Sequence, residues 1–434
     1  MHYHLSTIPA LLRTPAGRIQ LAAGLHYRIW PVLSRLAALH RQILTRGTRI
    51  VAVVGSLGKS TTTRAVATAL GAPLRHDFSY NCFSGVAQAV LRIRPGQSHA
   101  VIEVGINKRG QMASYAHVVR PNLVVVTSIG SEHHSSLGSL EVTRHEKADM
   151  VRALAENGVA VLNGDDPNVL WMRSQTRARI VTFGFGDANE VRANNVRLDW
   201  PHGTRFTLHA GNESYEMTVR LLGRHMIYPI LAAVAAARAE GLPLDQTLAL
   251  LQELPPTPGR LEPLALPNNI WILRDDTKSS HETLYAALDV LAQIPASRRL
   301  VALGEISEPL GASGPSYRAI GERLAGIVSC AVIIGTRRSF RAYAGGAVDG
   351  GLARSALIYG GHSILTATDL LREQLRPGDV LLIKGRYEQH LCRISLLLMG
   401  RVVRCDIDCC RIKKTNCSAC PMLERGWQHQ PPIT

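Results

Sequence analysis

Acidic residues are missing from the first 76 positions of this 434-residue chain, where Asp77 comes first, although seven arginines lie between Arg13 and Arg49. An end with that balance faces something negative. Long apolar runs are missing too. Nothing approaches the roughly 20 uninterrupted apolar residues that cross a bilayer, and Met1-His2-Tyr3-His4 lacks the charged-then-apolar build of a secretory leader. A cytoplasmic location is therefore expected. Cysteine is sparse except in one stretch. Cys82, Cys330 and Cys392 are scattered while the other five crowd the C-terminus, which is not the pattern of a disulfide framework.

With 46% hydrophobic and 19% charged residues, the composition is that of a soluble globular protein. Its length exceeds what one core serves, so several domains are expected. The formal charge of +16 fits anionic small-molecule partners, nucleotides and carboxylates, and nucleic acid is not expected as a main partner.

Residues 1–48 read as a basic helical extension, with Leu21, Leu25, Ile29, Leu36, Leu39 and Ile43 at helical spacing and Pro31 as a kink. From Arg49 the pattern becomes short apolar strands at 51–54, 99–104, 123–128 and 159–163, separated by helical stretches. That alternation indicates an α/β fold with a mainly parallel sheet covered on both faces. Residues 180–219 alternate as strands do, and an alanine-rich helix follows from about Tyr228 to Gly241. The run Leu254-Pro255-Pro256-Thr257-Pro258-Gly259 marks a boundary. A second series, with strands at 270–273, 300–303, 331–334 and 380–383, reads as a Rossmann-like domain. The expected organisation is 1–48, a nucleotide-binding core at 49–254, a Rossmann-like domain at 255–400 and a cysteine-rich tail at 401–434.

Gly55-Ser56-Leu57-Gly58-Lys59-Ser60-Thr61-Thr62 follows a strand and opens a helix. Glycines let backbone amides curl around phosphates, the helix N-terminus adds its positive end, and Lys59 neutralises the terminal phosphates. Ser60 can then ligate magnesium. Val53 stands where the longer motif has glycine, so the match is to the shorter G-x-x-G-K-S form. Read without this context, the segment is an ordinary strand-to-helix turn.

That loop and the motifs after it resemble the Mur ligase family from about Arg49 to Ile394, and within the family the branch that adds D-alanyl-D-alanine to a cell-wall precursor. The resemblance implies a P-loop central domain, a Rossmann-like C-terminal domain, ATP and magnesium. It implies that Gly55, Ser56, Gly58, Lys59, Ser60 and Thr61 hold the nucleotide, that Asn81 and Gly85 lie near the substrate, and that Glu103 in Val101-Ile102-Glu103-Val104-Gly105-Ile106-Asn107 ligates magnesium. A carboxylate ending a buried strand is costly unless paired or metal-bound, which independently favours a site there. In Ser131-Glu132-His133-His134, the spacing to Gly138-Ser139 selects His133 as a further magnesium ligand. Lys147 stands where many members carry a carbamylated lysine; read alone it would be a surface lysine. Asn163-Gly164-Asp165-Asp166 resembles the family's N-x-D turn, with Asn163 towards the nucleotide.

Two departures concern the base. Gly223-Arg224-His225 matches, but Met226 and Pro229 replace asparagines, the second of which contacts adenine in the family, and Ser128 stands where asparagine is frequent. Pro258-Gly259-Arg260 matches the family hinge, with Arg260 a phosphate contact. In Asp275-Asp276-Thr277-Lys278-Ser279-Ser280, the resemblance assigns Asp276 to the nucleotide and Lys278 to the acyl phosphate. Ile383-Lys384-Gly385-Arg386 resembles the late motif that holds the incoming amino acid or the closed form.

The implied reaction transfers the γ-phosphate of ATP to a carboxylate and lets an amine displace phosphate to form an amide, with Arg260 at the hinge of a closing domain. Only about 48 residues precede the core, too few for the family's UDP-sugar domain, so a different carboxylate is the expectation. The basic N-terminal helix could lie on an anionic membrane surface, or pack against the core or a second subunit. The thiols of Cys405, Cys409, Cys410, Cys417 and Cys420, beside Arg411, Lys413 and Lys414, could hold zinc, or an iron-sulfur cluster. The contrasting class is an ATP-binding regulatory or scaffolding module, which needs no trio like Glu103, His133 and Lys147.

Overall fold

A computed structural model describes residues 8–74, 81–130, 137–307, 313–410, 412 and 416–427. Arg411, Lys413 and Lys414 lie outside the described residues. The chain divides into two compact units, Ala23–Pro255 and a second that combines the described residues of His2–Ala22 with those of Pro256–Thr434. The division between Pro255 and Pro256 falls inside the proline-rich run. The N-terminal extension is shared between the units and forms none of its own.

The first unit is built on eight strands: β1 (Arg49–Val54), β2 (His99–Glu103), β3 (Leu123–Val126), β4 (Val159–Asn163), β5 (Arg179–Gly184), β6 (Val191–Asp199), β7 (Gly203–Ala210) and β8 (Glu213–Val219). Their order is β2-β1-β3-β4-β5-β6-β7-β8, parallel through β6 and antiparallel from β6 to β8. Apolar runs such as Leu123-Val124-Val125-Val126 are buried throughout, as strands covered on both faces must be. Along β7, by contrast, inner and outer residues alternate. The alanine-rich helix spans Ile227–Ala239, and Ile230 to Ala237 are fully buried, so its small side chains admit close neighbours on every side.

Pro31 does not kink a continuous helix. It lies in the first turn of the helix Trp30–Ile43, which follows the separate helix Pro15–Arg28, because proline's missing N–H is harmless only at a helix start. The apolar spacing also has a different outcome from burial: Leu25, Leu36, Leu39 and Ile43 are all at least half exposed.

The second unit has six strands: β9 (Glu262–Leu266), β10 (Ile270–Asp275), β11 (Arg299–Leu303), β12 (Cys330–Ile334), β13 (Leu357–Gly361) and β14 (Val380–Lys384). They run β13-β12-β11-β14-β10-β9, parallel apart from the edge strand β9. A small satellite core joins Ala16 to Ile412 and Met422 of the tail. Two mainly parallel sheets with helices between the strands make this an α/β protein, as expected.

Candidate active site

Strand register decides which residues share an edge of the first sheet. Val53 of β1 pairs with Glu103 of β2 on one side and Val125 of β3 on the other, and Val126 pairs with Leu162, one residue before Asn163. The Gly55–Gly58 loop, Glu103, Thr127-Ser128 and Asn163 therefore lie at the C-terminal edge. Strand β1 is flanked by β2 and β3, a reversal of strand order of the kind at which open α/β sheets bind ligands.

The loop is locked by short contacts. Gly55 has φ +144°, and a Cβ there would lie 2.0 Å from Thr127 Oγ1, so glycine is required. Thr127 Oγ1 donates to Leu57 O at 2.6 Å, and Leu57 N donates to Ser128 Oγ at 3.0 Å. Serine thus does structural work where asparagine is frequent in the family. Gly58, left-handed at φ +81°, starts the helix Lys59–Ala69 without a side-chain cap, which leaves the first amides for an anion. Lys59 Nζ donates to the carbonyls of Gly55 and Ser56, both at 2.8 Å. Ser60 and Thr61 follow in the first turn of this helix.

Lys147 is not a surface residue. It is 1% exposed in the helix Leu140–Arg152, and its Nζ donates to Ser56 Oγ at 2.9 Å. Glu103, 8% exposed, accepts from Asn81 Nδ2 at 2.7 Å, and Gly105 N donates to Asn81 O at 2.7 Å. Four rings, Tyr27, Trp30, Phe83 and Tyr115, meet edge to face beside this segment, and Phe83 N donates to the Tyr115 hydroxyl. Burial pushes that hydroxyl's pKa well up, so it stays protonated. His133 lies outside the described residues. The oxygens of Ser60 and Glu103 are hard donors of the type magnesium takes, so the residues present fit that ion.

Asn163 uses both ends of its amide on backbone: Nδ2 donates to Thr127 O at 2.8 Å and Oδ1 accepts from Asp165 N at 3.1 Å. It ties β4 to the end of β3. Asp165 accepts from Phe185 N, Gly186 N, Asn189 Nδ2 and the Tyr228 hydroxyl. Arg224 lies 3.7 Å over the Phe185 ring, which meets Tyr228 edge on. Met226 and Pro229, which replace the asparagines, are buried and offer no side-chain N–H donor.

The second unit carries its own polar cluster. Asp275 and Lys384 pair across β10 and β14, and Lys384 Nζ, wholly buried, donates to Asp275 Oδ2 at 2.6 Å and to Lys278 O at 2.7 Å. Burial pulls the Lys384 ammonium's pKa down despite the Asp275 carboxylate. Its amine thus braces the loop that carries Lys278. Asp276, 3% exposed, accepts from Arg274 Nε at 3.0 Å. Gly259 N donates to Glu262 Oε2 and Gly259 O accepts from Thr277 Oγ1, which holds the hinge against that loop. Arg260, half-buried, follows in the same turn.

Residues 53–237 match the Mur ligase middle domain. The chain is 31% identical over 410 residues to the UDP-N-acetylmuramoyl-tripeptide–D-alanyl-D-alanine ligase of Mycobacterium tuberculosis, covering 87% of this chain and 80% of that protein. It belongs to the Mur ligase family. Solved Mur ligases share the fold. The crystal structure of MurF from Acinetobacter baumannii superposes with a TM-score of 0.75 at 24% identity, over 86% of this chain and 81% of that one. MurF from Thermotoga maritima in complex with ADP gives 0.73 at 18% identity, over 86% and 83%. As a member, this Mur ligase is an ATP-dependent, amide-forming enzyme.

Sequence reasoning missed several partners in this Mur ligase. Tyr228, adjacent to Pro229, and Thr127 carry contacts that no motif flagged. Tyr228 could have been found as the one polar side chain between the two apolar replacements; Thr127 had no signal, since only register brings it to Gly55.

Proposed function

We propose that this Mur ligase phosphorylates a substrate carboxylate with ATP and passes the acyl group to the amine of an amino acid or dipeptide. A carboxylate oxygen attacks the γ-phosphorus, the bond from that phosphorus to the bridging oxygen breaks, and ADP leaves. The amine then attacks the acyl carbon, inorganic phosphate departs, and the amine's proton goes to solvent or a base. The observation that supports this best is the convergence of Lys59 and Lys147 on Ser56, with Glu103 on the same strand edge.

Gly55, Ser56, Gly58 and Thr61 are assigned to the phosphates through backbone and hydroxyl groups, and Lys59 to the charge on the transferred group. Magnesium, when bound by Ser60, Glu103 and His133, would offset repulsion between the triphosphate and the carboxylate. Lys147 is read as a carbamate, an anion beside that donor set. Asn163 positions the β3 and β4 ends under the nucleotide, and Asn81 orients Glu103 next to the substrate. In the second unit, Arg260 and Lys278 are assigned to phosphate and acyl phosphate, Asp276 to the nucleotide-side loop, and Lys384 to bracing that loop for the incoming amine. Zinc is assigned to the tail thiols.

The names of the relatives make a UDP-N-acetylmuramoyl tripeptide and D-alanyl-D-alanine the first pair to offer. ADP release that requires both a carboxylate and an amine, together with a hydroxamate when hydroxylamine replaces the amine, is the expected result. Slow hydrolysis that ignores every pair would favour the regulatory module instead.

No helix among the described residues is long and apolar enough to cross a membrane. We read the face of Val32, Leu36, Leu39 and Ile43, all at least half exposed and spaced by three or four residues, as a peripheral contact with anionic lipid. Exposed Arg28, Arg35 and Arg46 supply the matching charge, and the helix holds no acid. Cosedimentation with phosphatidylserine vesicles but not with neutral ones, abolished by Leu36→Ser with Leu39→Ser, is expected. Concentration-dependent dimerisation through the same residues would replace this reading by self-association.

A further inference from the structure

We propose that the zinc centre is built on His390, Cys392 and Cys417 and completed by one further tail thiol, so that two of its ligands come from the ligase domain and two from the tail. This rests on the assignment of zinc to the tail and departs from the five-thiol set read from the sequence. The donor atoms of His390, Cys392 and Cys417 all lie within 4.8 Å of one another. The His390 Nε2 lies 3.1 Å from the Cys410 carbonyl oxygen, and His390 and Cys417 line one cavity together with Cys405, Cys410, Cys420 and Trp427, while Cys392 stands outside the lining. Cys409 takes no part in that lining. All eight cysteines are free of disulfides.

Spacing favours zinc. Bonds of about 2.3 Å to sulfur and 2.0 Å to nitrogen in a tetrahedron put neighbouring donors roughly 3.5–3.8 Å apart. The three donors need close in only by about an ångström to meet this. An iron-sulfur cluster interposes irons and sulfides between its thiolates and holds them wider apart.

Charge favours it too. Arg393 is 1% exposed, and among the described residues its guanidinium donates to the carbonyls of Gln389, His390, Cys405 and Ile407 and to Cys405 Sγ, with no carboxylate in the set. A buried cation without an anion is unfavourable. Zinc with three thiolates and one neutral imidazole carries a single negative charge, which would balance it.

The centre would pin the segment after β14. His390 ends the turn Tyr387–Gln389 that follows Lys384-Gly385-Arg386, and Cys410 N donates to Glu388 O at 2.8 Å. Gln389 Oε1 accepts from Glu305 N at 2.7 Å, so the turn in turn steadies the loop after β11. Tail and catalytic-loop support are thereby one element.

Elemental analysis of the full chain, purified without added metal or chelator, tests this. One zinc per chain in the parent and in Cys409→Ser, lost from His390→Ala and from Cys392→Ser, is the expected result. Zinc retained in both of those variants overturns the ligand set while leaving a metal in the tail. Iron with acid-labile sulfide, or no metal in the parent, overturns the zinc assignment itself. Should the variants not fold, cobalt exchanged into the parent decides: tetrahedral d–d bands with thiolate charge transfer support the centre, and an octahedral spectrum overturns it.

Discussion

Lys147 Nζ meets Ser56 Oγ at 2.9 Å, joining the phosphate loop to a helix 91 positions further along the chain. Both residues are nearly solvent-free, and a lysine buried at such a place must be paired or modified. Lys147→Ala is expected to lower ligation on the order of 100-fold, the scale of losing one electrostatic group at a reacting centre. Formate or acetate should restore part of the rate if the native group is a carbamate. Restoration by a small amine, read in the same ADP-release assay, would assign the cationic form instead.

Gly55 and Lys59 separate shape from charge within one loop. Gly55→Ala places a methyl 2.0 Å from Thr127 Oγ1 at φ +144°, so calorimetry should show nucleotide binding lost. Lys59→Met keeps the glycine turn and its Thr127 and Ser128 contacts while removing the ammonium and its bonds to the Gly55 and Ser56 carbonyls. Its kcat should fall by roughly 10²–10³-fold with a smaller change in nucleotide affinity. Weakened nucleotide binding with kcat unchanged would place Lys59 in ground-state binding alone.

The Asp275–Lys384 pair is buried on both sides, with side-chain exposures of 8% and 0%. Lys384→Met strands Asp275 and is expected to destabilise the second unit by about 3–5 kcal/mol, read as a lowered denaturation midpoint. Asp275→Asn added to Lys384→Met should recover part of the loss, because the uncompensated charge goes with it. A single variant as stable as the parent would mean that water reaches the pair.

Asp165 supplies a pH test. Burial raises its carboxyl pKa, but donors from Phe185, Gly186, Tyr228 and Asn189 outweigh burial and hold it below the usual value. A carboxyl depressed in the folded state contributes stability that is present above its unfolded pKa of roughly 3.9 and is lost as the pH falls through the folded value. Asp165→Asn should therefore be less stable at neutral pH and show a shallower decline in melting temperature below about pH 4. Parallel curves for parent and variant would remove these bonds from the account.

Much of the fold was legible because its signals are local. Buried runs such as Val51 to Val54, the prolines near 255 and the glycines of the phosphate loop each restrict backbone or burial by themselves. Exposure of Leu36 and Leu39 was not legible, since periodicity says which residues share a face and not what covers it. Asn163 and Asp276 were identified as motif residues, yet their contacts are with Thr127 O and Arg274, which no spacing reveals.

The sequence by itself determined the α/β class and the glycine turn from β1 into the helix that starts at Lys59, because glycine geometry, strand burial and helix starts act over a few residues. Tertiary structure alone decided that Lys147 meets Ser56, that Lys384 braces Asp275 from 109 positions away, and that His390 and Cys392 lie beside Cys417. Such meetings depend on strand order and register, which many compatible sequences share and no single stretch encodes.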